Sequence, residues 1–286
     1  MLALILAFIS FIGWGTGDVF STLSSRKIGS ISLTFWACVF GIIIFSFYIP
    51  YALPELAHYT LPLLLLNLGI GMLSLIGNLT FNEGLRVGVP SLVGTIGASF
   101  TAVTIILSVI FFHDHIEMHQ IGIIGIIFLG VIISSLDVRE FAAGKAKVEK
   151  GIVLAVVAML CWGIDFTLMK ILFPYVGWFW PIYFTLWLFP IVYLYTRIRK
   201  EKIISPFKKS AILPIVLSTL LLRSGDLSFN YAIGKGFTAI SGAIAGAAPV
   251  LFVILALIFF QEKPKRQQLV GIVITLCGIV LLTIFS

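Results

Sequence analysis

The chain has 286 residues, of which 60% are hydrophobic and 11% charged, and a mean hydropathy of +1.13. That balance excludes an ordinary soluble domain and points to the lipid bilayer as the solvent. The formal charge of +7 would suggest nucleic acid in a soluble protein, but here the basic residues sit in short connections between apolar runs; they read as charges that set membrane orientation, with no nucleic-acid partner.

Runs of about 20 apolar residues, the length that crosses a hydrocarbon core of roughly 30 Å, recur along the whole chain. They predict helices over 2–22, 31–50, 61–82, 89–112, 119–136, 151–171, 177–197, 211–232, 237–260 and 267–285. Spans of this kind are helical because each backbone polar group needs a partner within its own segment. Met1 opens directly into an apolar run with no basic stretch before it, which predicts a retained first span and no cleaved signal. Cys38, Cys161 and Cys277 are isolated in separate apolar runs and read as small packing residues, with no disulfide framework and no zinc site. Trp36, Trp178 and Trp180 lie near span ends, as interfacial aromatics do. Pro249 lies in span 9, where it frees a carbonyl and favours a kink.

The chain repeats itself. An offset of 148 places Trp14-Gly15 on Trp162-Gly163, and Gly77-Asn78-Leu79-Thr80-Phe81-Asn82 on Gly225-Asp226-Leu227-Ser228-Phe229-Asn230 without a gap. It also pairs Gly94 with Gly242, Phe111-Phe112 with Phe259-Phe260, Gln120 with Gln268 and Gly130 with Gly278. Pro249 falls on Thr101, so the halves are expected to differ there. The boundaries are 1–136 for the first five-helix repeat, 137–150 for a polar linker and 151–286 for the second repeat. Five spans is an odd number, so the second copy enters the membrane upside down. The expected fold is an all-α integral membrane protein of ten transmembrane helices, built as two inverted five-helix repeats. Each repeat has its inverted partner within the chain, which leaves both a monomer and a homodimer open.

All Lys and Arg except Lys170, Arg223 and Lys235 fall in the connections after spans 1, 3, 5, 7 and 9. By that bias these connections face the cytoplasm and both termini lie outside.

An ionisable side chain at mid-membrane costs about 2.5–3.5 kcal/mol on insertion scales, so each is a functional candidate. Asp18 follows Trp14 by four residues and Asp165 follows Trp162 by three, which puts each pair on one helix face. An aromatic beside a carboxylate can hold an ammonium group, and a buried carboxylate can carry a proton. Arg223, Asp226 and Asn230 form one stripe of span 8; the counterparts in span 3 are Leu75, Asn78 and Asn82. Arg223 and Asp226 either lock the helix as a neutral pair or face a cavity and bind a substrate's carboxylate and amine. The plain reading of Asn82 and Asn230 is hydrogen bonding between helices. Glu83 with Arg86 reads as an interfacial ion pair. The loose cluster His113, Asp114, His115, Glu117 and His119 reads as an exposed loop and no metal site.

The ten-span plan, the duplicated unit, the Trp-Gly in spans 1 and 6, and Phe259-Phe260-Gln261-Glu262-Lys263-Pro264 followed by Gln268 resemble the drug/metabolite transporter superfamily, EamA type. The first half has Phe111-Phe112-His113-Asp114-His115 in the same place. The family pattern there is a Gly-Glu pair: Glu262 matches its acid, Asp114 is a conservative variant, and Gln261 and His113 replace the glycine. The resemblance covers essentially the whole chain. It implies a carrier of small metabolites, with efflux as the default direction and a central cavity lined by spans 1, 3, 4, 6, 8 and 9. It also implies cytoplasmic termini, against the charge bias.

The expected function is secondary active transport of a small metabolite, an amino acid or related compound among the candidates, by alternating access. Its partners are the small-molecule substrate, the lipid bilayer and protons as a candidate coupling ion; no cofactor is expected. The substrate-binding candidates are Trp14, Asp18, Asn78, Asn82, Trp162, Asp165, Arg223, Asp226 and Asn230. The alternative is a non-transporting membrane scaffold or sensor. No catalytic motif supports an enzyme.

Overall fold

The computed structural model describes residues 2–113, 117–135, 149–198, 200–207, 210–234 and 244–285, with only the backbone of Ala3, Ser135, Asn230, Ile233, Gly234 and Thr283. The described secondary structure is entirely helical. In chain order the helices are α1 (Leu2–Ile28), α2 (Ser30–Ser46), α3 (Ile49–Leu56), α4 (Leu61–Val87), α5 (Pro90–Ala98), α6 (Phe100–Phe112), α7 (Met118–Ser135), α8 (Lys150–Val176), α9 (Phe179–Leu186), α10 (Phe189–Ile198), α11 (Ile212–Gly234), α12 (Ala248–Phe259) and α13 (Arg266–Phe285). Six segments are long and apolar enough to cross a membrane, with α5–α6 and α9–α10 each counting as one; a seventh arises if α2 and α3, bent by 90°, form one broken span. Shorter apolar helices occupy the places expected for spans 5, 9 and 10.

The outside is apolar, as lipid requires: Phe8, Ile12, Phe111, Ile132 and Phe285 are all exposed. Hydroxyls are buried instead, and many satisfy themselves along their own helix. Ser24 donates to the Phe20 carbonyl at 2.7 Å and Thr95 to that of Ser91 at 2.8 Å. A buried polar group needs such a partner, and the fourth residue back provides it without disturbing the helix ladder.

Three helix pairs pack most extensively: α1 on α11, α4 on α8, and α7 on α13. The 148-residue offset exchanges the first two pairs and maps the third onto itself. That exchange is what a pseudo-two-fold relation between the repeats produces. Small residues allow these approaches. A Cβ on Gly130 would lie 2.9 Å from the Gly271 carbonyl oxygen of α13. The central core cluster includes Val19, Phe81, Leu92, Ala155, Phe252 and Val253, drawn from both halves.

Described residues from the connections after spans 1, 3, 5 and 7 gather at one end. Arg26, Arg86, Lys150 and Lys202 line one cleft there, and the Arg26 guanidinium lies 4.7 Å from the Phe260 ring centroid. At the opposite end Gln120 donates to the Phe285 carbonyl at 2.7 Å. Gly29 turns the chain from α1 to α2 with φ +84, a conformation open to glycine.

Two local expectations change. Pro249 sits in the first turn of α12, where its missing N–H interrupts nothing. The break before it is at Ala247 (φ −83, ψ −3), and the repeat-equivalent Ser99 (φ −71, ψ 0) makes the same break between α5 and α6. The halves therefore agree here, where the proline suggested a difference. Trp180 is buried within the protein: its indole N–H donates to the Ala52 carbonyl at 2.6 Å, inside a cluster with Phe45 and Phe179. Cys38, Cys161 and Cys277 are free thiols.

Candidate functional site

Trp14 stands midway along α1 and Asp226 midway along α11. The indole Nε1 donates to Asp226 Oδ1 at 2.9 Å, and Arg223 Nη1 donates to Asp226 Oδ2 at 2.7 Å. Both carboxylate oxygens are thus engaged, each by a donor from a different helix or turn. Gly225 makes room for the indole, since a Cβ there would lie 2.7 Å from Trp14 Cδ1. The Trp14 and Phe229 rings are 5.0 Å apart, tilted by 56°. The Arg223 guanidinium points toward α2, 6.0 Å from the Phe45 ring centroid, and its Nε is buried without a hydrogen-bond partner. Asp18, one turn beyond Trp14, is within electrostatic reach of Asp226.

The second half repeats the crossing with different chemistry. Trp162 of α8 rests on Gly77 of α4, where a Cβ would lie 2.7 Å from Trp162 Nε1. The Phe81 and Trp162 rings are 4.8 Å apart, tilted by 54°. Asp165 is 5% exposed. The Ser74 side chain lies close beside it, while its Oδ1 has no hydrogen-bond partner. Asn78 spends an amide N–H on the Ser74 carbonyl at 2.8 Å, and Asn82 donates to Thr34 Oγ1 of α2 at 3.1 Å.

The nine candidates therefore divide. Trp14, Asp18, Arg223 and Asp226 meet where α1 crosses α11. Trp162, Asp165 and Asn78 lie where α8 crosses α4. Asn82 ties α4 to α2, and the Asn230 side chain lies outside the described residues. Ser74 was not singled out in the sequence. Its signal was faint, because its repeat counterpart is Leu222, which packs instead on Gly17, the counterpart of Asp165.

Glu83 accepts two bonds from Arg86, at 2.6 and 2.7 Å, and one from Ser30 at 2.9 Å, with Lys150 Nζ 3.6 Å away. Among the described residues no group of three or more His, Cys, Asp and Glu could hold a metal. Asp114 and His115 of the loose cluster lie outside them.

Glu262 crosses between the halves. Its carboxylate accepts the Ser91 backbone N–H at 3.1 and 3.3 Å at the start of α5, a helix end that favours negative charge. Burial pushes its carboxyl up from the ordinary value, while the Ser91 hydroxyl and N–H, and Arg26, pull it back. The residue before it, Gln261, has φ +50, and the repeat-equivalent His113 has φ +56. That left-handed conformation is the one a glycine adopts freely, which explains a Gly-Glu pattern at this turn.

The sequence model of the EamA-like transporter family matches residues 1–136 and again 149–284. The chain belongs to that family. It is a multi-pass integral membrane protein of the cell membrane, with the family's two-repeat architecture. It is also 33% identical over 69 residues to an uncharacterized protein of Methanocaldococcus jannaschii, a stretch that takes in 24% of this chain and 50% of that protein; the match thus spans about half the length of that relative. A solved structure, described only as a crystal structure of a protein, is similar with a TM-score of 0.66 and 16% sequence identity, over 99% of this chain and 97% of that one. At that identity the likeness shows the fold alone.

Proposed function

We propose that this EamA-family protein is a secondary transporter that moves a small metabolite by alternating access, using all ten predicted spans as two inverted five-helix units. The observation that carries the reading is the pair of mid-helix crossings, Trp14 on Gly225 and Trp162 on Gly77, each with a carboxylate beside it. A site between inverted repeats can be exposed to either side by rocking one unit against the other. Asp18 and the Arg223–Asp226 pair offer charge of both signs, suited to an amino acid or related compound. Asp165 is the proposed coupling residue. A buried carboxylate oxygen without a partner calls for a proton, a cation or a substrate donor to match it. Export is the proposed direction, and it rests on family likeness.

The second reading is a non-transporting scaffold or sensor. It is favoured by the way Trp14 and Arg223 already satisfy Asp226, as a structural lock would. Flux separates the two. In liposomes, Asp165→Asn should transport with little pH dependence, and Asp226→Asn should lose transport. Wild-type behaviour in both variants would remove these residues from the mechanism. No flux of any solute by the wild-type protein would favour the scaffold.

A further inference from the structure

A cleft of about 840 Å³ opens at the basic end of the molecule, and none of the nine candidate residues lines it. One wall is a stripe of α4, Met72, Leu75, Ile76, Leu79 and Thr80, which continues into Glu83 and Arg86 at the mouth. These positions recur at the helical period, so a single face of α4 changes from apolar to charged as it rises. Met72 to Arg86 is 14 residues, about 21 Å at 1.5 Å per residue, which reaches deep into the membrane. The facing wall is Ile191, Val192 and Tyr195 of α10. The floor is a packed cluster in which Leu75 meets Leu188 and Val192.

The mouth holds five cations, Arg26, Lys27, Arg86, Lys150 and Lys202, against two carboxylates, Glu83 and Glu201. Glu83 is already taken by Arg86, Ser30 and Lys150, and Glu201 lies within electrostatic reach of Arg86. Arg26 lies within electrostatic reach of the Glu262 carboxylate, so the positive excess falls on Lys27 and Lys202. Lys27 uses one N–H on the Ser210 carbonyl at 3.2 Å and keeps others to offer. Arg26 lies over the Phe260 ring at the edge of the same mouth. Charges that merely set orientation need no cavity beneath them; here the apolar stripe runs straight down from the cationic rim.

We propose that this cleft binds amphipathic anions, with a carboxylate or phosphate head at Lys27 and Lys202 and an apolar body laid along Met72 to Leu79. The proposal deepens the transport reading by naming a substrate class. It rests on that reading only for the claim that what binds here is carried; binding itself stands on the cleft. The head belongs either to a free organic anion or to an anionic lipid.

The test uses purified full-length protein in nanodiscs of phosphatidylcholine, with radiolabelled phenylbutyrate as probe and its uncharged analogue phenylbutanol as control. Saturable phenylbutyrate binding is expected, at least ten-fold weaker in Lys27→Glu/Lys202→Glu, with phenylbutanol unaffected by the charge reversal. Met72→Trp, which fills the floor without touching the mouth, should weaken phenylbutyrate binding on its own and serves if the charge-reversed protein does not fold. Loss of phenylbutyrate affinity when phosphatidylglycerol is added would assign the head to lipid; unchanged affinity would assign it to a free anion. Absence of saturable binding, or equal affinity in wild type and both variants, would overturn the proposal. No flux is read, so a carrier with its site elsewhere would fail this test and still transport.

Discussion

Trp14 and Asp226 lie 212 residues apart in the chain and meet through a 2.9 Å hydrogen bond from the indole N–H. The bond joins the two repeats at the middle of their helices. Trp14→Phe keeps a ring against Phe229 and removes the indole donor from one oxygen of a half-buried carboxylate. The expected loss is about 1.5–3 kcal/mol, the worth of a hydrogen bond to a charged group, read as a lower thermal midpoint in detergent. An unchanged midpoint would mean that water or another donor replaces the indole.

The glycines beneath the two tryptophans should be equivalent. A Cβ would come within 2.7 Å of the indole at both Gly77 and Gly225. Gly77→Ala and Gly225→Ala should each destabilise by about 1–3 kcal/mol through overpacking. Gly69, with nothing within 4 Å, is the control, and Gly69→Ala should gain up to ~1 kcal/mol from helix propensity. Tolerance at one crossing and loss at the other would show that the repeats pack differently there.

Arg223 and Asp226 should behave as a unit. Arg223→Ala removes the cation from a carboxylate that is 24% exposed and bonded by Trp14, and should cost about 3–5 kcal/mol. Arg223→Ala/Asp226→Ala removes both charges and should restore part of that stability, as read by thermal unfolding of the three proteins. A double variant less stable than the single would mean that Asp226 contributes mainly through another partner.

The helix cap made by Glu262 gives a pH dependence with a definite sign. Burial raises its carboxyl above the ordinary 4.5. The folded state thus holds this proton more tightly than the unfolded state does. The associated stability is full below pH 4.5 and is lost as pH rises through the folded value. Glu262→Gln should therefore show a flatter fall of thermal midpoint with rising pH than the wild type. Parallel curves would contradict burial as the dominant influence.

Much of the fold was legible because the repeat is written in residues that the crossings require. The Trp-Gly, Gly77/Gly225 and Phe81/Phe229 pairs stand in register at both crossings. The Arg223–Asp226 pair was legible from its spacing of three on one helix. Ser74 was not, because its neighbour Asp165 lies on another helix and its repeat counterpart is a leucine. The 90° bend after Ser46 and the burial of Trp180 depend on how α3 and α9 meet, which no local pattern encodes. The cleft at the basic end was hidden for the same reason: it is a gap between helices, and the sequence shows only the charges at its rim.

The central claim is transport through the mid-membrane crossings, and solute flux tests it most directly. Protein reconstituted in liposomes would be challenged with amino acids, organic anions, sugars and organic cations at two pH values, reading both current and tracer uptake so that electroneutral exchange is also seen. The account predicts flux of one class, abolished by Asp226→Asn and made insensitive to pH by Asp165→Asn. Flux that is identical in wild type and both variants, or no flux of any solute by either readout, would contradict it.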